Sequence, residues 1–293
     1  MPCYHPWTAY KYEDGSVRAI ERVGVVQTLT LPCGNCIGCR LERSRQWAVR
    51  CMHEAQLHDQ NSYITLTIED DAKARSLDYR DFQLFMKRLR KFIAPTKIKF
   101  YCCGEYGETT KRAHYHAILF GYDFPDKKHF KKVGDYRLYT SDILENLWGY
   151  GHCLIGSVTF DSAAYVARYV MKKVNGDLAD PHYTRIDPET GEIYKITPEF
   201  NRMSLQGGIG KDWLEKFHRD VYPSGKVVVN GKEANSPRYY DKKYKDVNPF
   251  EIEDVQYARH LLGLKNIEHQ TDERLKVREQ VALAQLNQLK RSI

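Results

Sequence analysis

Ala113-His114-Tyr115-His116-Ala117-Ile118-Leu119-Phe120 is the stretch that decides how this chain is read. Successive side chains on a strand point to opposite faces. His114 and His116 therefore share one face, while Tyr115, Ala117 and Leu119 share the other, where they can pack beneath helices. Two imidazoles at i, i+2 on a rigid strand chelate one ion when a neighbouring strand supplies a third ligand. The preceding strand, Lys97 to Tyr106, reaches this one through the polar, turn-like residues Gly107 to Arg112. A hairpin of the two brings Glu105 back towards the histidines. A His-His-carboxylate set leaves coordination positions open for substrate oxygens and suits Mg²⁺ or Mn²⁺, of which Mn²⁺ takes imidazole more readily.

Working outward, Ser62 to Ile68 is a β-branched and aromatic run that reads as a buried strand, closed by Glu69, Asp70 and Asp71. A helix is predicted from an N-cap at Asp78, with Phe82, Phe85, Met86 and Leu89 on one face and Pro95 ending it. Upstream, Leu41 to His58 reads as a helix. Downstream, Cys153 to Phe160 reads as a strand, and Asp161 or Ser162 as the cap of a helix running to about Val174. The order strand, helix, strand, strand, strand, helix predicts an α+β fold with a central antiparallel β-sheet and flanking helices.

That last predicted helix carries Ala164-Tyr165-Val166-Ala167-Arg168-Tyr169-Val170-Met171-Lys172-Lys173. Tyr165 and Tyr169 are four apart and share a face, and Lys172 extends it. Val166, Val170 and Val174 form the apolar stripe. A phenol ionises near pH 10, so it becomes a nucleophile only where cations favour its anion. Two phenols and an ammonium beside a metal site make a phosphoryl-transfer set.

Taken in this order, the three motifs resemble the HUH endonucleases. Tyr63 to Ile68 matches that family's first motif, His114-Tyr115-His116 the second, and Tyr165 to Lys172 the third in its two-tyrosine form. Further stretches resemble replication proteins of the microvirus group, in particular its gokushovirus branch: Pro32 to Trp47, Gly104 to Gly107, Gly208 to Gly210 and Pro237 to Asp241. The resemblance implies an HUH fold derived from the ferredoxin-like arrangement and a rolling-circle replication initiator. Such an enzyme nicks single-stranded viral origin DNA with a tyrosine, keeps the 5′ end as a phosphotyrosine, and later rejoins it. By residue, it implies Tyr165 and Tyr169 as nucleophiles, Lys172 as a helper cation, and His114, His116 and Glu105 as metal ligands, with Glu108 the fallback for Glu105. It also implies a host DNA polymerase extending the free 3′-OH; no helicase domain is read in the sequence, so strand separation is expected from a host helicase or from supercoiling, in the host bacterial cytoplasm.

Cys33-x-x-Cys36-x-x-Cys39 gathers three thiols within seven residues, with Cys3 as a fourth and Cys51 or His5 as alternatives. In a reducing compartment such a cluster suits tetrahedral zinc. Its expected role is to hold an arginine-rich helix start, Arg40, Arg43 and Arg45, against DNA, to which Lys173 is added. Cys102, Cys103 and Cys153 read as core residues. The 293-residue chain has net charge +7, 21 tyrosines and basic clusters, which fit a polyanionic partner. No secretory or membrane-spanning segment is read in it. Gly207-Gly208-Ile209-Gly210-Lys211 has the wrong spacing for a phosphate loop and reads as a turn. The expected organisation is a Cys-rich segment (1–60), a nuclease core (61–176), a loop and hairpin extension (177–250) and C-terminal helices (251–293). Basic clusters and thiols alone would equally fit a non-catalytic, zinc-containing nucleic-acid-binding protein. The same chemistry also serves plasmid and transposon HUH nucleases.

Overall fold

Alternating and β-branched runs form the strands of this chain, and apolar residues at helical spacing form the helices packed on them. The computed structural model describes residues 3–69, 76–107, 111–168, 173–174, 176–187 and 190–288. Its elements begin with β1 (Trp7–Tyr12), β2 (Val17–Arg18), β3 (Val25–Leu31), α1 (Ile37–Ala55), β4 (Asn61–Thr67) and α2 (Tyr79–Phe92). Next come β5 (Lys99–Tyr106), β6 (Ala113–Phe120), β7 (Lys128–Val133), β8 (Tyr136–Thr140), α3 (Asp142–Trp148), β9 (Cys153–Gly156) and α4 (Phe160–Arg168). The chain continues through α5 (Ala179–Tyr183), β10 (Thr184–Ile186), β11 (Ile193–Lys195), β12 (Phe200–Met203) and α6 (Lys211–Val221). It ends with β13 (Lys226–Val229), β14 (Lys232–Asn235), α7 (Arg238–Lys245), α8 (Pro249–Lys265) and α9 (Asp272–Gln288). The described residues fall into two compact units, one within 1–43 and 253–291, the other within 44–252.

The larger unit is built on a seven-stranded antiparallel sheet of order β12-β5-β6-β4-β9-β8-β7. This is the α+β arrangement expected from the sequence. Strand alternation divides the core in two. Ile64, Leu66, Phe100, Cys102, Tyr115, Ala117 and Leu119 face α2 and α3, meeting Phe82, Phe85, Met86, Leu89, Leu144 and Trp148. Tyr63, Tyr101, Cys103, Ile118 and Phe120 face the other way, against Ala48 and Cys51 of α1 and Ala163, Val166 and Ala167 of α4. Burial raises the thiols of Cys51, Cys102 and Cys153 well above their ordinary value. They are apolar packing residues rather than reactive sulfurs.

Several local readings are corrected. α1 starts at Ile37, four residues before the expected Leu41. The strand expected over Cys153 to Phe160 stops at Gly156, because Ser157 to Thr159 turn the chain into α4. The cap is Thr159, upstream of both expected residues: its Oγ1 accepts from the Ser162 amide (3.1 Å) while the Ser162 hydroxyl accepts from the Thr159 amide (2.9 Å). α4 is described to Arg168; residues 169–172 lie outside the described residues, and Lys173 and Val174 are not helical. The hairpin β7–β8 and α3 stand between β6 and β9, where the sequence reading had one strand follow another. Asp78 does cap α2, accepting from the Arg80 amide at 2.8 Å. Asn230 and Gly231, at φ 48° and 72°, turn the β13–β14 hairpin as expected.

One buried group predicts an acid-sensitive fold. His53 of α1 is 8% exposed, stacks on Trp213 at 3.5 Å and contacts the Tyr240 hydroxyl through Nδ1 at 3.0 Å. Burial depresses its pKa from 6.5 to about 4. The unfolded chain thus binds the proton first as pH falls, so stability is full above pH 6.5 and drops between about 6.5 and 4, by about 3 kcal/mol. Denaturant melts of the native chain and of His53→Phe across that range should converge at acid pH; parallel curves would remove His53 as the cause.

Candidate active site

The β5–β6 hairpin pairs Tyr106 with Ala113, which sets Glu105 directly across from His114 and Cys103 across from His116. On the other side β4 sets Thr67 across from His114 and Thr65 across from His116. Cross-strand partners point to the same face, so Glu105, His114 and His116 converge on the face that carries α1 and α4. The closeness of β12 to β5 depends on Gly104, where a Cβ would stand 2.9 Å from the Phe200 ring and 3.0 Å from Leu77.

One carboxylate oxygen joins both imidazoles. Glu105 Oε1 lies 2.7 Å from His114 Nε2 and 2.9 Å from His116 Nε2, and the two rings stand nearly perpendicular at 4.9 Å. Burial pushes the Glu105 carboxyl up, but the closeness of the His114 and His116 imidazoles outweighs that and holds it at about 2. Glu105 is 2% exposed and His116 5%, so this charge sits in a largely dry pocket.

The Arg112 carbonyl, 3.1 Å from His114 Nδ1, can only accept, so Nδ1 carries the proton. A neutral His114 then presents its Nε2 lone pair to a carboxylate oxygen, and two acceptors at 2.7 Å require a proton or a cation between them. His116 Nδ1 is enclosed by two hydroxyls, Tyr63 at 2.8 Å and Thr65 at 3.0 Å. Donation to either leaves the His116 Nε2 lone pair facing the same oxygen. The three ligand atoms lie within 4.8 Å of one another, a spacing a single cation can bridge.

The Tyr165 ring stands edge-on to His116 at 5.2 Å. It is carried there by α4, whose Val166 and Ala167 are buried against the sheet. The Ser44 hydroxyl donates to the Ala164 carbonyl and the Asn201 amide to the Val166 carbonyl, both at 2.9 Å. These two bonds tie the turn that bears Tyr165 to α1 and to β12. Tyr165 is half-buried, whereas Tyr63 is 4% exposed and burial pushes its phenol well above the ordinary range. Tyr63 thus stays protonated as a support for His116, stacked parallel to it at 5.8 Å.

Of the residues singled out in the sequence, Glu105, His114, His116 and Tyr165 are brought together. Tyr169 and Lys172, and the fallback Glu108, lie outside the described residues. Lys173 is half-buried. Arg40, Arg43 and Arg45 lie in α1, where exposed Arg43 donates to the Gly34 carbonyl at 3.3 Å. Cys3, Cys33, Cys36 and Cys39 form a separate cluster in the smaller unit. The sequence reading places Tyr63 and Thr65 in the strand before the histidines and gives them no role at the site; their alternate spacing there is the one local signal they carry. Among the described residues, no helix is long and apolar enough to cross a membrane.

The family model described as Replication-associated protein ORF2/G2P matches residues 61–174, the span that holds all four residues of this site. The replication-associated protein VP4 of Bdellovibrio phage phiMH2K is 37% identical over 233 residues, 76% of this chain and 70% of that protein. The replication-associated protein ORF4 of Chlamydia phage 1 is 32% identical over 221 residues, 72% of this chain and 52% of its own length. ORF2 of Spiroplasma virus 4, also a replication-associated protein, is 29% identical over 248 residues, 79% and 73% of the two chains. No solved structure matches the chain. With that identity and coverage on both sides, the chain belongs to the family of replication-associated proteins of bacterial viruses.

Proposed function

We propose that the chain initiates rolling-circle replication by nicking single-stranded viral origin DNA through a tyrosine and rejoining it. The observation that carries this reading is the half-exposed phenol of Tyr165 held 5.2 Å from His116, whose Nε2 shares one Glu105 oxygen with His114. In the forward step the Tyr165 oxygen bonds to phosphorus and the P–O3′ bond breaks. The phenol loses its proton, the 3′ oxygen gains one, and the 5′ end remains as a phosphotyrosine. Attack by a 3′-OH on that ester reverses the bonds and frees the phenol, so the phosphodiester energy is kept.

Glu105, His114 and His116 would hold a divalent ion, Mg²⁺ or Mn²⁺, which when bound supplies Lewis-acid polarisation of the scissile phosphate. Glu105 contributes the negative charge, and the two imidazoles contribute fixed lone pairs. Tyr63 and Thr65 orient His116. By the family resemblance, Tyr169 is a second nucleophile for repeated cleavage and Lys172 neutralises charge on the phosphate. Arg40, Arg43, Arg45 and Lys173 bind the strand. The setting is the host bacterial cytoplasm, with a host helicase opening the duplex and a host polymerase extending the 3′-OH.

The test is to incubate the protein with end-labelled origin single strand and Mn²⁺ and look for an adduct that survives SDS. Loss of the adduct in the double variant Tyr165→Phe, Tyr169→Phe is expected, with peptide mapping placing the nucleotide on Tyr165 in the single variant Tyr169→Phe. An adduct persisting in the double variant would overturn the assignment. The support of His116 gives a second, smaller expectation. Tyr63→Phe should raise the Mn²⁺ concentration for half-maximal cleavage by about 10- to 100-fold while leaving the saturated rate near native. An unchanged Mn²⁺ midpoint would show that the Tyr63 hydroxyl does not orient His116.

A further inference from the structure

Outside the nuclease pocket, the densest cluster of metal-ligating side chains lies in the smaller unit. Cys3 precedes β1, Cys33 follows β3, Cys36 precedes α1 and Cys39 lies in its first turn. β1 and β3 pair from Trp7↔Leu31 to Tyr12↔Val25, so the four thiols gather just beyond the open end of that ladder. We infer that this cluster is a built site for one structural Zn²⁺, bound as a tetrathiolate by Cys3, Cys33, Cys36 and Cys39.

The separations are those of a tetrahedron. The sulfur of Cys3 lies 3.7 Å from that of Cys33 and 4.0 Å from that of Cys36, and Cys33 lies 4.0 Å from Cys39. All four sulfurs lie within 4.8 Å of one another. With Zn–S bonds of about 2.3 Å, tetrahedral geometry sets sulfurs about 3.8 Å apart. Disulfide bonding needs about 2.05 Å, and all four cysteines are free.

The backbone is arranged for anionic sulfur. The Cys33 amide donates to Cys3 Sγ at 3.2 Å, the Tyr4 amide to Cys36 Sγ at 3.3 Å, and the Cys36 amide to Cys33 Sγ at 3.3 Å. A thiol accepts such bonds poorly and a thiolate accepts them well. Several thiolates at van der Waals distance repel one another unless a cation sits among them. The two alternative ligands weighed from the sequence are engaged elsewhere. Cys51 is packed in the core of the larger unit, and His5 Nε2 pairs with Glu279 at 2.7 Å.

The smaller unit also has little else to fold on. Its buried apolar residues, among those described, are Cys3, Ala9, Tyr12, Cys36, Val255 and Leu275. Val17, Ile20, Val23 and Val26 are exposed. A core this thin is the situation in which structural metal supplies folding energy. Four sulfurs select a thiophilic ion, whereas the Glu105, His114 and His116 set offers oxygen and nitrogen. The chain thus carries two metal sites of different chemistry.

The experiment is metal analysis of the full chain purified without added metal, joined to cobalt substitution. One zinc per chain is expected in the native protein and equally in His114→Ala, His116→Ala, and its loss in Cys36→Ser. Replacement by Co²⁺ should give the intense tetrahedral d–d bands and near-ultraviolet thiolate charge transfer of a CoS₄ centre. Because that spectrum is read on the native chain, it decides the matter even if Cys36→Ser fails to fold. Zinc retained in Cys36→Ser, equimolar iron in place of zinc, or a cobalt spectrum without thiolate charge transfer would overturn the site. On chelation, amide exchange should rise in β1 and β3 while β4 to β6 stay protected. Loss of zinc leaves the Tyr165 adduct assay as a separate measurement, so the two readings stand or fall apart.

Discussion

Glu105→Gln is expected to lower Mn²⁺-supported adduct formation by about a thousandfold, roughly 4 kcal/mol of transition-state stabilisation, while the sheet stays folded. The substitution keeps the shape of the side chain and changes two things. It removes the negative charge that Glu105 places beside His114 and His116. It also puts amide N–H donors within reach of the Nε2 lone pairs 2.7 and 2.9 Å away. The lone pairs that need a cation beside a carboxylate are then satisfied by the protein itself.

Two readouts separate this from a folding defect. Adding Mn²⁺ at a hundred times its dissociation constant should stabilise the native chain by about 2.7 kcal/mol, since it binds the folded state alone. That shift should vanish in Glu105→Gln. The affinity for origin single strand without metal should stay within a few-fold, because the residues proposed to contact phosphate are Arg40, Arg43, Arg45 and Lys173 rather than Glu105. A variant that retains adduct formation within tenfold of native would remove Glu105 from the ligand set.

Why this site was legible in the sequence follows from its locality. His114, His116 and Glu105 belong to one hairpin, so strand alternation and a short connection suffice to set them on one face. Tyr63 and Thr65 reach His116 only through the β4–β6 pairing, across 53 and 51 residues, and local periodicity carries no register information over such a span. The β7 strand, Lys128–Val133, gives no strand signal in the sequence because it lies at the sheet edge with five of its six residues exposed. Edge strands are often kept polar against stray pairing, and so lose the apolar alternation that marks a strand. At α4 the cap was read downstream because Thr159 and Ser162 pair two hydroxyls where an acidic partner is the familiar signal. β12 sits in a stretch of loose pattern, yet it pairs with β5 alongside Gly104. Its place comes from the tertiary fit of Phe200 over a glycine.

The glycines of the 207–211 turn offer the sharpest test of that tertiary reading. Gly210→Ala is expected to destabilise the larger unit by about 4 kcal/mol, and Gly207→Ala by only about 1 kcal/mol. Both residues have positive φ, 75° and 80°, so both substitutions carry the left-handed penalty of about 1–2 kcal/mol. They differ in surroundings. A Cβ at Gly207 meets the Lys99 side chain at 3.5 Å, an ordinary contact. At Gly210 it would stand 2.5 Å from the Tyr240 hydroxyl and 3.2 Å from the Arg50 carbonyl. Tyr240 cannot swing aside, being fully buried with its hydroxyl 3.0 Å from His53 Nδ1. Retreat of the turn would also cost the Gly210 amide bond to buried Glu54 (2.7 Å) and the Arg50 bond to the Ile209 carbonyl (3.0 Å). Overpacking of this kind adds about 1–3 kcal/mol. Thermal and denaturant melts of the two variants measure the gap, and equal costs would mean that the turn needs glycine for its backbone angle alone.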